Sequence, residues 1–469
     1  MRLVMKFGAS TLKDGGGISH VANLVRTSVN EGNNVVVVTT SLAGVSEDIL
    51  ATAVAAKGGK GQAVADFVRE LKGKLRRYAR QAVSRPSLRK SIGWEVEEYC
   101  NKIESLLYSV FHTNELTDRT KDRLLSLAER MSTSLVSGSL ESLGVITTPL
   151  TGHDAGVLTD SAFGRARPIK KLLNERVKRS LLPLIERGVT AIVAGNATAD
   201  EHGNPTTLGL GGADYLASMI GAAISADEVC IWVGVDGIMT ADPNIVPGAK
   251  TLPVLSYAEA AELAFSGVRI LHPRTIEPAM EKGIPVIVRN AFNLENPGTR
   301  IVREPERYEG VVKSVSIIKD VAMIAVEGAS MIGRPGTAAR TFGALAREGI
   351  NILMISQSCS ETNISLIIQS SDLTRALAAL NAEFRDEEPV RRFFVQDNVC
   401  VVAAIGSGMR GTPGIASRVF NAVANKGINV LMAAQGSDEL NISFVVIEND
   451  SDESVRAIHE EFELGRVSG

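Results

Sequence analysis

The sequence predicts an α/β fold, in which a mostly parallel sheet with helices on both faces is followed by two small, duplicated modules. Two observations support this prediction. Short apolar segments alternate with helical patterns up to about residue 305, and such alternation favours a parallel sheet covered on both sides. Beyond that point, a pattern of glycine, asparagine and apolar residues occurs twice with a constant offset of 78 residues, from Met331 to Met409 and from Asn363 to Asn441. A constant offset indicates a duplicated module.

The start of the chain predicts a β-α-β unit, and the middle predicts four more strands. The unit consists of a strand at Leu3–Phe7, a helix at Ile18–Val29 and a buried strand at Asn34–Thr39. The later strands are Val145–Thr148, Thr190–Ala194, Glu228–Trp232 and Pro285–Val288. Because ligands of such sheets bind at the carboxyl ends of strands, Lys6, Gly195 and Trp232 mark the expected site.

The region between these strands predicts long helices. An apolar stripe at helical spacing runs through Ile103, Leu106, Leu107, Val110 and Phe111. A second helix is predicted to begin at Thr117-Asp118, where a threonine can cap the first turn. It carries Leu124, Leu127 and Met131 on one face.

Composition excludes several function classes. A net charge of −3 and an aromatic content of 4% argue against nucleic-acid binding. No apolar run approaches the roughly 20 residues that span a bilayer, so no membrane partner is expected. The four cysteines are scattered without CxxC spacing, and the six histidines form no HExxH motif. We therefore expect a reducing, cytoplasmic location and no metal held by the protein alone.

Three segments carry the chemistry. Leu3–Thr11 is an apolar strand that runs into a lysine and a Gly/Ser/Thr loop, an arrangement that presents backbone N–H groups and one ammonium to a phosphate. Thr206–Asp214 is a second small-residue loop, and Val235–Pro243 is a third segment with a VDG and a DP turn. Together the three resemble the amino-acid kinase superfamily and, within it, the aspartate kinases. The repeat resembles a pair of ACT domains, the small ligand-sensing modules of that family.

The resemblance implies an architecture, a reaction and partners. It implies an amino-acid kinase domain over residues 1–305, with a helical insert at about 60–140, followed by ferredoxin-like ACT modules at 306–391 and 392–469. It implies ATP and Mg²⁺ as cofactors, with L-aspartate or a related acid as the substrate that is phosphorylated on its side-chain carboxylate. It also implies an amino-acid effector at the ACT modules and a homo-oligomer, either a dimer or a dimer of dimers.

The resemblance also assigns site residues. Lys6 and Asp214 correspond to the family's catalytic lysine and acid. The nucleotide side corresponds to Lys6, Gly8, Ala9, Ser10, Val233, Gly234, Asp236, Met239, Asp242 and Arg269. The substrate side corresponds to Ser46, Glu129, Asn196, Leu210, Gly211, Gly212 and Ala213, where Glu129 matches the acid that receives the substrate amino group. No GxxxxGK[ST] motif is present, so a P-loop mechanism is not expected.

Effector binding is expected at equivalent positions of the two copies. These positions are Met331, Gln357 and Asn363 in the first copy and Gln435 and Asn441 in the second. The segment Gly406–Gly411 matches GxGxxG, the fingerprint of a dinucleotide site. The first copy lacks the middle glycine and no acidic residue ends a strand near residue 430, so an effector-binding loop is the favoured interpretation.

Several ligand-facing positions depart from the family pattern. Leu210 stands where the family has an arginine that holds the α-carboxylate of aspartate, and Ala213 stands where it has a serine. Val233-Gly234 replaces a Thr-Asp pair, and Asn244 replaces an arginine. Three hypotheses therefore stay open: an aspartate kinase, a kinase of the same fold for another small acidic substrate, and a catalytically weak regulatory or ligand-sensing paralogue.

Overall fold

The computed structural model describes residues 1–268, 271–304, 310–328, 331–385, 390 and 392–466. These residues form two compact units. The first unit comprises residues 1–238, 253–257 and 270–305. The second comprises residues 239–252, 258–269 and 306–469. Arg269, one of the residues expected on the nucleotide side, lies outside the described residues.

The strands of the first unit build one large sheet and one small sheet. They are β1 (Arg2–Phe7), β2 (Asn34–Thr39), β3 (Thr147–Thr151), β4 (Leu158–Thr159), β5 (Thr190–Ala194), β6 (Thr198–Asp200), β7 (Pro205–Thr206), β8 (Glu228–Val233), β9 (Val254–Ser256), β10 (Val286–Asn290) and β11 (Thr299–Val302). The large sheet has the order β3-β5-β2-β1-β8-β10-β11-β9, and the small one has the order β4-β6-β7. In the large sheet only β10 and β11 pair antiparallel, which confirms the mostly parallel sheet.

Helices of the first unit surround this sheet. They are α1 (Gly15–Asn30), α2 (Val45–Lys57), α3 (Gly61–Ala82), α4 (Pro86–Thr113), α5 (Asp118–Ser142), α6 (Lys170–Ile185), α7 (Gly212–Ile224) and α9 (Pro273–Lys282). The helix α8 (Tyr257–Phe265) belongs to the second unit from Ala258 onward. The side chain of Thr117 accepts a hydrogen bond from the Thr120 N–H and so caps α5 as its sequence predicts. The stripe of α4 buries Ile103, Leu107 and Val110 in the largest apolar core.

One predicted strand begins later than expected, and five short strands were not predicted. The strand predicted at Val145–Thr148 begins only at Thr147, because the Val145 N–H bonds to the Leu140 carbonyl and closes the end of α5. The strands β4, β6, β7, β9 and β11 have no counterpart in the sequence analysis. Each has two to four residues, too few for alternation to show.

The second unit contains the repeat, and each copy has the order βαββα. Its elements are β12 (Ser314–Glu327), α10 (Thr337–Arg347), β13 (Ile352–Gln357), β14 (Asn363–Gln369), α11 (Leu373–Glu383), β15 (Arg392–Ile405), α12 (Ile415–Ala424), β16 (Met432–Gln435), β17 (Asn441–Ile447) and α13 (Ser451–Glu461). They form one sheet of order β13-β14-β12-β15-β17-β16. The long central strands pair antiparallel with each other, so the two copies share one sheet.

The pairing register repeats with the sequence offset. Glu327 lies opposite Asn363 in the first copy, and Ile405 lies opposite Asn441 in the second. Each strand therefore delivers its following loop, which begins at Gly328 or Gly406, to the start of a neighbouring strand. No helix among the described residues has the length and apolar character needed to cross a membrane.

Two glycines of the first unit allow a test of close packing. Gly283 and Gly298 both have positive φ, of 67° and 80°. A Cβ on Gly298 would lie 2.0 Å from the Val288 carbonyl oxygen, whereas a Cβ on Gly283 would have no neighbour within 4 Å. We expect Gly283→Ala to cost about 1–2 kcal/mol, the penalty for left-handed backbone. Gly298→Ala should cost roughly a further 1–3 kcal/mol because backbone must shift. Thermal unfolding midpoints of the two variants measure the difference, and equal midpoints would contradict the packing argument.

Candidate active site

The carboxyl ends of three adjacent strands meet at one edge of the large sheet. Lys6 lies near the end of β1, Thr39 ends β2, and Gly195 follows β5. The register places Lys6 opposite Val38 on one side and Ile231 on the other, while the Gly195 N–H bonds to the Thr39 carbonyl. Residues far apart in sequence therefore come together here, as expected for a parallel sheet.

A buried ion pair is the centre of the site. The Lys6 ammonium lies 2.5 Å from Asp214 Oδ1, and both side chains are largely shielded from water. Asp214 belongs to the first turn of α7, where the helix dipole favours a negative charge. The Lys6 side chain curls over the following loop, so that a Cβ on Gly8 would lie 3.2 Å from its Nζ. The pair thus holds one ammonium at the mouth of the β1 loop.

Glu129 provides a second acid with a different character. It lies on α5, is buried, and accepts a hydrogen bond from the Asn196 N–H. Burial raises the pKa of its carboxyl to about 8, although the Asn196 N–H and the Lys6 charge both lower it. At neutral pH this carboxyl is therefore largely protonated in the structure. A cation beside it would favour the charged form.

Asn196 organises the loop that leads into α7. Its Oδ1 accepts a hydrogen bond from the Leu208 N–H at 2.7 Å, and its Nδ2 donates to the Gly209 carbonyl at 3.3 Å. A Cβ on Gly212 would lie 2.3 Å from the same Oδ1, so only glycine allows this contact. One amide side chain therefore fixes both the path of the loop and the start of the helix.

Gly211 and Ala213 are also constrained by close contacts. Gly211 has a φ of 71° and lies against His272, whose Cβ would be 2.3 Å from a Cβ at this position. Ala213 is buried and packs on Gly195. A Cβ added to Gly195 would lie only 2.5 Å from the Ala213 Cβ. The structure thus shows a packing role for these two residues.

Leu210 and Ser46 are both expected on the substrate side, but their side chains differ in hydrogen-bonding capacity. Leu210 is 90% exposed just before α7 and supplies no hydrogen-bond donor from its side chain. Ser46 lies in the first turn of α2 and donates to the Ser41 hydroxyl at 2.7 Å. The Leu210 side chain therefore adds no charge for an anion near α7, whereas Lys6 supplies an ammonium beside Asp214 of that helix.

The β1 loop and the loop after β8 lie side by side. The Thr11 N–H and hydroxyl both bond to the Gly8 carbonyl, at 2.9 and 2.7 Å, which leaves Ala9 and Ser10 exposed at the tip. Gly234 faces this tip, since a Cβ on it would lie 3.7 Å from Ser10 Cβ. Two small-residue loops are therefore adjacent here, and loops of this kind can present backbone N–H groups to a phosphate.

The other expected nucleotide residues have structural partners. Asp236 accepts hydrogen bonds from Asn290 at 2.6 Å and from Asn293 at 3.1 Å. Met239 and Asp242 belong to the second unit, where the Met239 carbonyl accepts a bond from the Ser314 hydroxyl at 2.9 Å. Asp242 accepts bonds from the N–H and the side chain of Asn244 within its own turn.

Two side chains near the substrate loop, one buried and one half-buried, were missed by the sequence analysis. Asp122 accepts a bond from the Thr207 hydroxyl at 2.5 Å, one from the Thr207 N–H at 3.1 Å and one from the Gly164 N–H at 2.8 Å. Burial raises the pKa of its carboxyl, and these bonds oppose the rise. A polar stripe at helical spacing in α5 could have revealed it: the stripe contains Asp122, Ser126, Glu129 and Thr133.

His272 is the second residue that was missed. It caps α9, since its Nδ1 accepts a bond from the Arg274 N–H, and it packs on Gly211. Burial and the charge of Arg274 lower the pKa of its imidazole, against the influence of Asp214. We therefore treat it as a neutral side chain beside the start of α7. Its Leu-His-Pro context indicates a helix start but not this contact.

The expected effector residues all belong to the second unit. Met331 is buried with Val326 and Ile364, while Gln357 and Gln435 end β13 and β16 with exposed side chains. Asn363 and Asn441 begin the equivalent strands β14 and β17. Among the residues that the structure describes, no group of three or more His, Cys, Asp or Glu side chains could hold a metal ion.

Comparison with known proteins agrees with this architecture. Residues 1–290 match the amino acid kinase family, and residues 324–384 and 402–462 match an ACT domain. The chain is 30% identical over 470 residues to a chloroplastic aspartokinase 1 of Arabidopsis thaliana, covering 99% of this chain and 81% of the relative. It is 33% identical over 377 residues to a chloroplastic bifunctional aspartokinase/homoserine dehydrogenase 1 of Zea mays, covering 78% of this chain. The matched part is 40% of that bifunctional protein, so the chain spans about two fifths of the length of such relatives.

Solved structures give the same result. The chain is similar to E. coli aspartokinase III in complex with aspartate and ADP in the R-state, with a TM-score of 0.85, 26% identity and coverage of 99% and 100% of the two chains. The T-state complex of that enzyme with lysine and aspartate has a TM-score of 0.77 at 26% identity, covering 98% and 99%. The parallel sheet of the first unit and the shared sheet of the repeat thus belong to a known architecture, and the chain belongs to the amino acid kinase family and carries two ACT domains.

Proposed function

We propose that the chain is an aspartate kinase, which transfers the γ-phosphoryl group of ATP to the side-chain carboxylate of L-aspartate. A carboxylate oxygen forms a bond to the γ-phosphorus, the bond from that phosphorus to the β-γ bridging oxygen breaks, and ADP leaves. The observation that carries the proposal is that one edge of the sheet brings together two groups. One is the ammonium of Lys6, which its ion pair with Asp214 holds in place, and the other is the buried carboxyl of Glu129. Lys6 is suited to the transferring phosphate, and Glu129 is suited to an amino group.

The phosphate end of the proposal depends on positive charge and backbone donors. Phosphoryl transfer requires charge neutralisation and alignment more than covalent help. The Lys6 ammonium supplies the charge, Asp214 holds it in place, and the loop Gly8–Ser10 with Gly234 forms the walls. ATP would bind here, and we further propose contacts with Val233, Asp236, Met239, Asp242 and Arg269. Mg²⁺ would be held mainly by the phosphates.

The substrate end follows from the chemistry of Glu129 and of the loop before α7. An ionised Glu129 would pair with the α-ammonium of aspartate, and the N-terminus of α7 at Gly211, Gly212 and Ala213 would attract a carboxylate. The Ser46 hydroxyl and the Asn196 side chain would complete the wall. The relative from Arabidopsis thaliana is an aspartokinase, and the E. coli structure is a complex with aspartate and ADP, which supports this choice of substrate.

Regulation, assembly and domain limits form part of the same proposal. We propose that an amino-acid effector acts through the ACT domains, as the lysine complex of E. coli aspartokinase III suggests. We propose domain limits of 1–305, 306–391 and 392–469 and a homodimer or a dimer of dimers. The location in the cytoplasm stays a prediction of the sequence.

A kinase of the same fold for another small acid is the second candidate. The observation that favours it is Leu210, which is 90% exposed and brings no charge to a loop where an α-carboxylate would bind. Calorimetric titration with Mg·ATP, then with L-aspartate beside a non-hydrolysable ATP analogue, separates the candidates. Binding of both supports the aspartate kinase, and ATP binding alone supports another substrate. Failure to bind ATP would overturn both and leave a ligand-sensing protein.

Removal of the Lys6 ammonium should abolish most of the phosphoryl transfer. We expect Lys6→Met to lower kcat by about 10²–10³-fold, the usual effect of losing one group that stabilises developing charge. Lys13→Met is the matched control, because Lys13 is an exposed lysine just beyond the same loop. A coupled assay for ADP measures both variants. Equal activity of the two would contradict the role of Lys6.

The pKa of Glu129 predicts a pH dependence of aspartate binding. Its carboxyl must lose a proton to pair with an ammonium, so below pH 8 binding should release close to one proton per aspartate. Affinity should therefore rise with pH by up to about tenfold per unit until pH 8 and then level off. Calorimetry in buffers of different ionisation enthalpy counts the protons. Glu129→Gln should bind weakly with no such dependence, and a proton-neutral wild type would refute the assignment.

An arginine at position 210 should improve the binding of L-aspartate. A charged hydrogen bond is worth about 1.5–3 kcal/mol, so Leu210→Arg should lower KM for aspartate by roughly tenfold or more. Leu172→Arg on α6 adds the same charge at another exposed position and serves as the control. An unchanged KM for Leu210→Arg would favour a substrate without an α-carboxylate.

A further inference from the structure

The loop that begins the second copy's helix is held by acids from outside the repeat. In that loop the Ser407 N–H donates to Glu259 Oε1 at 2.8 Å. The other carboxylate oxygen of Glu259 lies 2.9 Å from the Lys313 ammonium. Glu259 is 0% and Lys313 2% exposed, so the pair is fully buried. Such a pair is stable only when its hydrogen bonds are satisfied.

A second acid of the same helix holds the neighbouring strand. Glu262 accepts a hydrogen bond from the side chain of Asn441, the first residue of β17. Glu259 and Glu262 are three residues apart on α8, so both project from one helix face. Beyond the helix, a Cβ on Gly267 would lie 2.5 Å from the Ile317 carbonyl of β12, which shows how closely this segment packs. All these residues belong to the second unit.

The two copies are structurally equivalent around this loop. The Gly328 N–H bonds to the Thr362 carbonyl in the first copy, and the Gly406 N–H bonds to the Leu440 carbonyl in the second, each at 3.0 Å. The turn is closed in the same way by Glu361 onto the Gly333 N–H and by Glu439 onto the Gly411 N–H. Asn441, which binds Glu262, therefore has a structural equivalent in the first copy, Asn363.

The first copy has an asparagine at the equivalent position, and among the described residues it meets neither acid of α8. Asn363 is the equivalent of Asn441, and within the described residues its side chain makes no hydrogen bond. The sequence places Arg391 before β15 as Lys313 stands before β12, so a cation occurs at both positions. The helix α8 precedes the repeat and has no second version in the sequence.

We propose that α8 is an internal ligand of the second copy. A loop N–H, an asparagine amide and a cation are the groups that recognise the carboxylate of a free amino acid. Glu259 and Glu262 satisfy all three: the Ser407 N–H and the Asn441 amide of the second copy, and the ammonium of Lys313 before β12. The second copy is thereby closed to free amino acids, which leaves the first copy for the effector proposed above, and it clamps α8. This proposal concerns the clamp and does not depend on which substrate is phosphorylated.

Amide hydrogen exchange of the full-length chain tests the clamp through a matched pair of variants. Asn441→Ala removes one donor from the clamp, and Asn363→Ala makes the same change 78 residues earlier. We expect Asn441→Ala to speed exchange in residues 258–265 and at Ser407 by about tenfold, because one charged hydrogen bond is lost. Asn363→Ala should leave both segments unchanged.

Three results would overturn the proposal. Unchanged exchange of residues 258–265 in Asn441→Ala, or an equal rise in Asn363→Ala, would show that no clamp exists. If Asn441→Ala fails to fold, Glu262→Gln takes its place with a smaller expected rise, since a neutral acceptor replaces a charged one.

Exchange in wild-type protein is then measured with millimolar L-lysine or L-threonine. Faster exchange at Ser407 would mean that free amino acids displace the helix, which refutes the closed second copy, whereas an unchanged rate supports it.

Discussion

The ion pair between Lys6 and Asp214 is the interaction on which the site depends. Removing two charges from water costs several kcal/mol per ion, and only close mutual contact offsets this cost. Here the contact is 2.5 Å, and the helix dipole of α7 adds a favourable field at Asp214. The pair joins the central strand β1 to α7, the helix that follows the substrate loop. Its geometry therefore sets the distance between the proposed phosphate and substrate ends.

Two polar side chains and two glycines, which have no Cβ, determine how the surrounding loops pack. Asn196 and Asp122 each satisfy several backbone groups, so the loops before α7 have little freedom. Gly195 and Gly212 allow contacts that a Cβ would prevent. Against this rigid frame, Leu210 just before α7 has an exposed side chain without a hydrogen-bond donor. Burial raises the pKa of the Glu129 carboxyl to about 8, and a perturbed carboxyl of this kind is the basis for proposing that it receives the substrate amino group.

The second unit shows how a duplicated module can use its two copies differently. Both copies bring a glycine-rich loop and an asparagine to the same place in one shared sheet. In the second copy, α8 supplies carboxylates to these groups. The two copies thus differ in what they bind: the second copy binds α8, a segment of the chain that precedes the repeat. Asp242 and Met239 also belong to this unit and are fixed by its hydrogen bonds.

The sequence by itself determined the parallel α/β class, the repeat and the loops that carry Lys6 and Asp214, because periodicity and glycine-rich turns are local patterns. It could not locate β4, β6, β7, β9 and β11, which are too short to show alternation and form through pairing with distant strands. Only the tertiary structure decided that Asp122 braces two loops, that His272 packs on Gly211, and that Glu259 and Glu262 bind the second copy. Each of these contacts joins residues distant in sequence, and their geometry depends on the packing of the whole chain, which no local pattern encodes.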